Sequence, residues 1–238
     1  MRRGAESTRL TNEGTNEDIM ALESQLVRRI LVVDDHEIVR LGMRQLIAAE
    51  PDLVVCGEAE TAEEAYSLAR ALDPDLAIVD LSLDTTHGLE LVRLLHDATP
   101  SIPVLVLTMH DETLFAERSF RAGARGYIMK KGAIVGLVHA IRQVLAGRIY
   151  ASEQVWQGLL SGLGAKVPSP GDSLAALTDR ELEVLEMIGH GMSTATIASN
   201  LRLSIKTIET YRSNIKQKLK LRDSTDLIRL AVSRTLGL

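Results

Sequence analysis

The chain of 238 residues is 45% hydrophobic and 25% charged, the balance of an ordinary globular protein with room for two compact domains or one large one. No apolar run nears the ~18 residues of a membrane span, and the single cysteine, Cys56, excludes an internal disulfide and suits a reducing compartment. The formal charge of −5 is unevenly spread, with 16 Lys/Arg against 23 Asp/Glu over residues 1–150 and 10 against 7 over residues 173–238, so the C-terminal end is where polyanion binding should be sought.

Residues 1–27 open with the polar stretch MRRGAESTRLTNEGTNED, which lacks the apolar core of a secretory signal and reads as a flexible extension. A cytoplasmic location without membrane contact is expected. From residue 28 short apolar runs alternate with amphipathic ones. Strands are predicted at Arg29–Val33, Leu53–Glu58, Leu76–Asp80, Pro103–Thr108 and Gly126–Lys130, with helices between them at Glu37–Ala49, Ala62–Leu72, Leu89–Asp97 and Glu112–Ala122. A fifth helix carries Ile134, Leu137, Val138, Ile141, Val144 and Leu145 on one stripe and ends at Gly147. This alternation predicts an α/β domain over 28–150, a doubly wound five-stranded parallel sheet whose continuous apolar strands are covered on both faces. The Gly/Pro/Ser-rich SGLGAKVPSPGDS places a linker within 151–173. Residues 174–238 then read as a small all-α domain of four short helices.

Ligands of a doubly wound sheet bind at the carboxyl ends of its strands. The predicted strands end in Asp34-Asp35, Asp80, Thr108 and Lys130. Clustered acids repel one another unless a cation neutralises them, and an all-oxygen set suits Mg²⁺, which favours carboxylates, phosphate oxygens and water. Lys130 and the Thr108 hydroxyl would complement a phosphoryl group. Plainer readings exist for each residue alone: Asp34-Asp35 could cap the next helix, Asp80 could form a turn, and Lys130 could be a solvated strand end. His36 reads as the helix start rather than a ligand, since no histidine pair has HxxxH spacing.

The segments RILVVDDHEIVRLGMRQLI, PDLAIVDLSLDTTHGLELVRLL, IPVLVLTMHDE and GARGYIMKKGA resemble the receiver domain of two-component response regulators. The resemblance implies a flavodoxin-like receiver in which Asp80 accepts a phosphoryl group from the phosphohistidine of a sensor histidine kinase. It further implies Mg²⁺ held by Asp34, Asp35, Asp80 and the backbone carbonyl of Ser82, Lys130 on the phosphoryl oxygens, and Thr108 and Tyr127 as the switch pair. Two departures stand out. Leu83-Asp84 replaces the Met-Pro usual in the family, and Ser82 and His110 occupy positions that influence how long the phosphate survives. An altered dephosphorylation rate is expected.

In the tail, Thr178 and Glu181 form a capping box, Gly189 and Gly191 close a first helix, and Ser193 and Ser204 cap a second, through Leu201, and a third, to about Lys220. The third helix turns Ile205, Ile208, Ile215 and Leu219 inward, with Tyr211 nearby. It presents six Lys/Arg against the lone Glu209 over residues 204–222. A solvated amphipathic helix would share that pattern. A short helix, a tight turn and a polar-faced helix with basic flanks also make a helix-turn-helix. LTDRELEVL, residues 192–203 and KTIETYRSNIKQKL are similar to the LuxR-type helix-turn-helix of NarL/FixJ-type regulators. That likeness implies binding of double-stranded DNA, with Glu209, Thr210 and Ser213 at base edges and Lys206, Thr207, Arg212 and Lys216 on phosphates or nearby bases. It also implies a fourth helix over Leu221 to Leu236 that helps pair two protomers, and a homodimer once phosphorylated. Glu209 stands where many members carry Lys, and Ala195-Thr196 where they carry Lys-Glu, so modest, salt-sensitive affinity is expected.

Two other classes fit less well. A haloacid-dehalogenase-type phosphatase needs a second Asp two residues after the nucleophile, where this chain has Ser82. A ligand-sensing regulator with a nucleotide or flavin in the sheet lacks a Gly-rich phosphate loop after strand one. The expectation is a transcription factor and phosphoacceptor rather than an enzyme in its own right.

Overall fold

The computed structural model describes residues 27–83, 88–157 and 174–235, and of residues 132–134 the backbone only. The expected N-terminal extension, Asp84 and most of the expected linker lie outside the described residues. Five strands, β1 (Arg28–Val33), β2 (Leu53–Ala59), β3 (Leu76–Val79), β4 (Val104–Thr108) and β5 (Gly126–Met129), form one parallel sheet in the order β2-β1-β3-β4-β5. Five helices alternate with them: α1 (Glu37–Ala48), α2 (Ala62–Leu72), α3 (Gly88–Ala98), α4 (Glu112–Arg121) and α5 (Ala133–Leu145).

The period-two alternation of a strand sends successive side chains to opposite faces. Ile30, Val32, Leu76, Ile78, Leu105 and Leu107 pack under Met43 and Ile47 of α1 and Leu137, Ile141 and Val144 of α5. Leu31, Val33, Ala77, Val79, Val104 and Val106 face the other way, toward α2, α3 and α4. Polar residues mark the helix starts. The Thr61 side chain accepts from Glu64 N at the head of α2, and that of Asp111 accepts from Thr113 N at the head of α4, each cap worth about 1 kcal/mol.

The linker predicted to start at 151 begins with ordered chain. Tyr127 N donates to Tyr150 O, the Ser152 hydroxyl donates to Glu112, residues 153–157 are helical and Val155 is buried. The composition that marks a linker starts only at Ser161, so the earlier residues are free to pack.

Four helices follow: α6 (Asp179–Gly189), α7 (Thr194–Asn200), α8 (Ile205–Lys218) and α9 (Ser224–Thr235). The predicted capping box is present at Thr178 and Glu181. Gly189 is the last residue of α6, as the sequence suggested. It lies where α9 crosses, and a Cβ there would sit 2.1 Å from Thr235 Oγ1 and 2.6 Å from Ala231 O. The turn falls to Gly191, whose φ of +77° is the left-handed conformation glycine adopts without steric penalty. The apolar core on the α2–α4 side of the sheet runs without a break into this domain, through Leu174, Leu177 and Leu182.

Candidate functional site

The carboxyl edge of the sheet gathers the predicted charges. β1 delivers Asp34 and β3 delivers Asp80, at 0% and 2% exposure, and Lys130 follows β5. The Lys130 Nζ lies 2.6 Å from Asp34 Oδ2 and 2.7 Å from Asp80 Oδ2. Strands predicted to run through Asp80 and Lys130 stop one residue short, at Val79 and Met129. Leaving the pleat lets both side chains lean along the edge toward each other. Lys130 opens a 3₁₀ turn, while Asp80 N still donates to Val33 O. Burial works against the Lys130 charge, but Asp80 and Asp34 outweigh it and raise the ammonium above its usual range.

Asp34, Asp35, His36 and Asp80 each bring one donor atom within 4.8 Å of the others. Asp80 Oδ1 is buried without a hydrogen-bond partner among the described residues. Three carboxylates against one ammonium leave a negative excess beside an open carboxylate oxygen, so the donor set fits a hard divalent cation. His36 was set aside in the sequence as a helix start. It is the N-cap of α1, yet its Nδ1 lies 2.7 Å from Asp35 Oδ1. The capping alternative for the acid pair is limited to a turn, with Asp34 Oδ1 accepting from His36 N.

Two residues that hold this edge carried no signal in the sequence. Arg40, buried on α1, donates to Asp34 O at 2.7 Å and pairs with Glu58 and Glu60, which fixes the backbone of the acid pair. Gly88, at the head of α3, approaches the end of β3 so closely that a Cβ would lie 2.2 Å from Asp80 O and 2.5 Å from Leu81 Cα.

Thr108 and Tyr127 are both buried and both hold residue 110. The Thr108 hydroxyl accepts from His110 N at 3.4 Å and the Tyr127 hydroxyl donates to His110 O at 2.9 Å. Burial pushes the Tyr127 phenol well above its ordinary pKa. His110 Nε2 is 3.0 Å from the Ser82 hydroxyl, so the two residues flagged for phosphate lifetime touch. His110 also reaches the second domain, which the sequence did not foretell. Its Nδ1 lies 2.5 Å from Glu186 Oε2 and its Nε2 is 3.5 Å from Glu183 Oε1, both acids being buried on α6. Burial alone would lower the His110 pKa, but the Glu183 and Glu186 carboxylates push it up to about 10.

In the second domain Ser193 caps α7 and Ser204 caps α8. Ile208 and Ile215 are buried as predicted, but Ile205 is 56% exposed. It is the first residue of α8 and lies a turn short of the stripe that meets α6. Lys206, Glu209, Thr210 and Ser213 are exposed, while Thr207, Arg212 and Lys216 are half-buried along the flanks. Lys206, Glu209, Thr210 and Ser213 thus form the outward face of α8, with Thr207, Arg212 and Lys216 at its margins.

Comparison with known proteins gives two family matches, "Response regulator receiver domain" over residues 30–142 and "Bacterial regulatory proteins, luxR family" over residues 175–231. Response regulator GacA of Pseudomonas aeruginosa is 38% identical over 86% of this chain and 95% of its own. Response regulator UvrY of Escherichia coli K12 is 35% identical over 85% and 93%. Among solved structures, RcsB of Salmonella typhimurium aligns over 87% of this chain and 97% of its own, with 26% identity and a TM-score of 0.60. A structure of two RcsB dimers on two parallel DNAs aligns over 88% and 98%, with 27% identity and a TM-score of 0.53.

Proposed function

The chain belongs to the response regulators that join a receiver to a LuxR-type helix-turn-helix, and on that footing we propose that Asp80 is the phosphoacceptor through which a sensor histidine kinase controls its binding to promoter DNA. The observation that carries this reading is the Lys130 ammonium bridging Asp34 and Asp80 beside an unpartnered Asp80 oxygen. An aspartate so placed can attack a phosphorus atom with one oxygen while its charge is balanced at the other.

Asp34, Asp35, Asp80 and the Ser82 carbonyl would hold Mg²⁺. Bound there, the ion would supply charge neutralisation for the phosphoryl oxygens. Lys130 moves from carboxylate to phosphoryl oxygen as the acyl phosphate forms, keeping one charge-assisted hydrogen bond throughout. Arg40 keeps the Asp34 backbone fixed during the step. Thr108 turns its hydroxyl to the new oxygens and gives up its bond to His110 N, and Tyr127 follows into the space. A two-state domain needs about 5.5 kcal/mol of differential stabilisation to go from 1:99 to 99:1, which a few charge-assisted contacts can provide.

The DNA reading rests on α8. Glu209, Thr210 and Ser213 would meet base edges in the major groove, and Lys206, Thr207, Arg212 and Lys216 would hold phosphates or nearby bases. A carboxylate at Glu209 can accept from cytosine N4. Two phosphorylated protomers would bind two half-sites, the linked contacts raising affinity beyond that of one. A protein with these partners works in the cytoplasm, and no helix among the described residues is long and apolar enough to cross a membrane. A genome-wide footprint of wild type beside Asp80→Asn tests the whole reading. Sites occupied by the wild type and lost in the variant support it, and identical footprints overturn it.

A further inference from the structure

His36 stands where a helix cap is expected and does not act as one. It is the N-cap residue of α1, but its side chain makes no capping hydrogen bond. Histidine is a poor choice for that duty, which Ser, Thr, Asp and Asn perform through a short side-chain oxygen. Thr61 and Asp111 show the usual solution at the heads of α2 and α4. The His36 ring turns instead toward the acids, with Nδ1 2.7 Å from Asp35 Oδ1 and 3.5 Å from Asp34 Oδ1.

Asp35 Oδ1 is nevertheless buried without a hydrogen-bond partner among the described residues, and so is Asp80 Oδ1. The imidazole nitrogen and the Asp35 oxygen thus sit side by side without bonding each other. One donor atom from each of Asp34, Asp35, His36 and Asp80 lies within 4.8 Å of the other three. Ligands on opposite sides of an ion with bonds of ~2.1 Å stand about 4.2 Å apart, so small side-chain rotations bring the four onto one ion. Buried carboxylate oxygens without partners are costly, and a shared cation removes that cost. The His36 side chain is 62% exposed, which leaves Nε2–H to water when Nδ1 binds metal, the second hydrogen bond that an imidazole ligand makes. Asp35, His36 and Ser82 also line a cavity of about 110 Å³, with room for waters to complete a coordination shell.

Mg²⁺ prefers an all-oxygen shell and gains little from an imidazole. First-row transition ions do gain, with affinity for a mixed nitrogen and oxygen site rising from Mn²⁺ to Co²⁺. We propose that His36 is a nitrogen ligand of the acid cluster, which makes the site favour a first-row transition-metal dication over Mg²⁺. The proposal rests on the reading of Asp34, Asp35 and Asp80 as a cation site, and concerns which ion is held there most tightly.

The test uses the full chain freed of metal by a chelator. Co²⁺ and Mg²⁺ are titrated separately by calorimetry into wild type, His36→Gln and His36→Ser. Gln keeps a polar side chain of similar reach, and Ser supplies the missing helix cap, so a loss of fold in one variant leaves the other to decide. The ratio of Co²⁺ to Mg²⁺ affinity is expected to fall at least about tenfold in both, the least that disturbing a metal-bound histidine costs. Pulsed electron paramagnetic resonance of the Mn²⁺-loaded wild type should show coupling to an imidazole nitrogen that both variants lose. An unchanged ratio, or a nitrogen coupling that persists in the variants, overturns the proposal. So does Asp80→Asn binding Co²⁺ as tightly as the wild type, which would put the ion elsewhere. Failure of the wild type to bind either ion overturns instead the reading of the acid cluster as a cation site.

Discussion

Replacing Lys130 by Met removes the cation shared by Asp34 and Asp80 while keeping an unbranched, largely apolar stem. Its Nζ lies within 2.7 Å of both acids, and its side chain is 12% exposed. Breaking a buried ion pair from one side costs about 3–5 kcal/mol, because the abandoned charge stays buried. The edge is partly open to water, so the lower end, about 3 kcal/mol, applies to the folded receiver without divalent ions. Mg²⁺ at a hundredfold its dissociation constant adds about 2.7 kcal/mol to any folded form that binds it, so the deficit should shrink to the extent that the variant, with its acids no longer neutralised by Lys130, binds the ion more tightly than the wild type. Urea unfolding followed by fluorescence of the single tryptophan, Trp156, reports on this part of the chain because residues 153–157 pack beside it through Val155. A loss under about 1 kcal/mol, equal with and without Mg²⁺, would show that Lys130 does not neutralise the cluster and would refute the electrostatic account of the edge.

Gly88→Ala drives a methyl group against Asp80 O, so the backbone at Asp80 and Leu81 must shift and the proposed phosphorylation of Asp80 should slow; a rate by intact mass within about twofold of wild type, less than about 0.5 kcal/mol in barrier, would contradict the close approach. Thr178→Ala removes one half of the capping box and should lower the stability of the second domain by about 1 kcal/mol in urea. Glu181 is governed first by burial, which raises its pKa, but Lys218 and the Thr178 contacts outweigh this and hold it below the ordinary 4.5. A depressed carboxylate stabilises the fold above its unfolded pKa and loses that contribution as pH falls through its folded value. The stability gap between wild type and Lys218→Met should therefore be full at pH 7 and shrink below pH 4.5, and a gap independent of pH would remove the Glu181–Lys218 pair from the account. Substituting Lys206 or Lys216 by Ala should reduce the slope of log affinity against log salt on duplex DNA by about one each, and an unchanged slope would take those residues off the phosphates.

The receiver was legible because a parallel sheet buries its strands completely and leaves unbroken apolar runs such as Val104–Leu107, while its chemistry must stand at strand ends. Asp34, Asp80 and Lys130 could thus be placed at one edge before any coordinates. The helix-turn-helix was legible from Thr178, Ser193 and Ser204, since capping is a local signal. Contacts between distant segments left no such trace. Glu183 and Glu186 look like the solvated face of α6, and only the docked domain makes them partners of His110. Arg40 and Gly88 were missed for the same reason: the groups they meet belong to other turns of the chain. Ile205 erred in the opposite direction, since helical periodicity says which residues share a stripe but not where a neighbouring helix ends.

The most direct measurement is the mass of the intact chain after incubation with Mg²⁺ and acetyl phosphate, with the modified residue mapped by borohydride reduction of the acyl phosphate. A single phosphoryl group on Asp80, absent with a chelator and absent from Asp80→Asn, is the predicted result. A phosphoryl group on another side chain, or none in the presence of Mg²⁺, would contradict the assignment on which the signalling role stands.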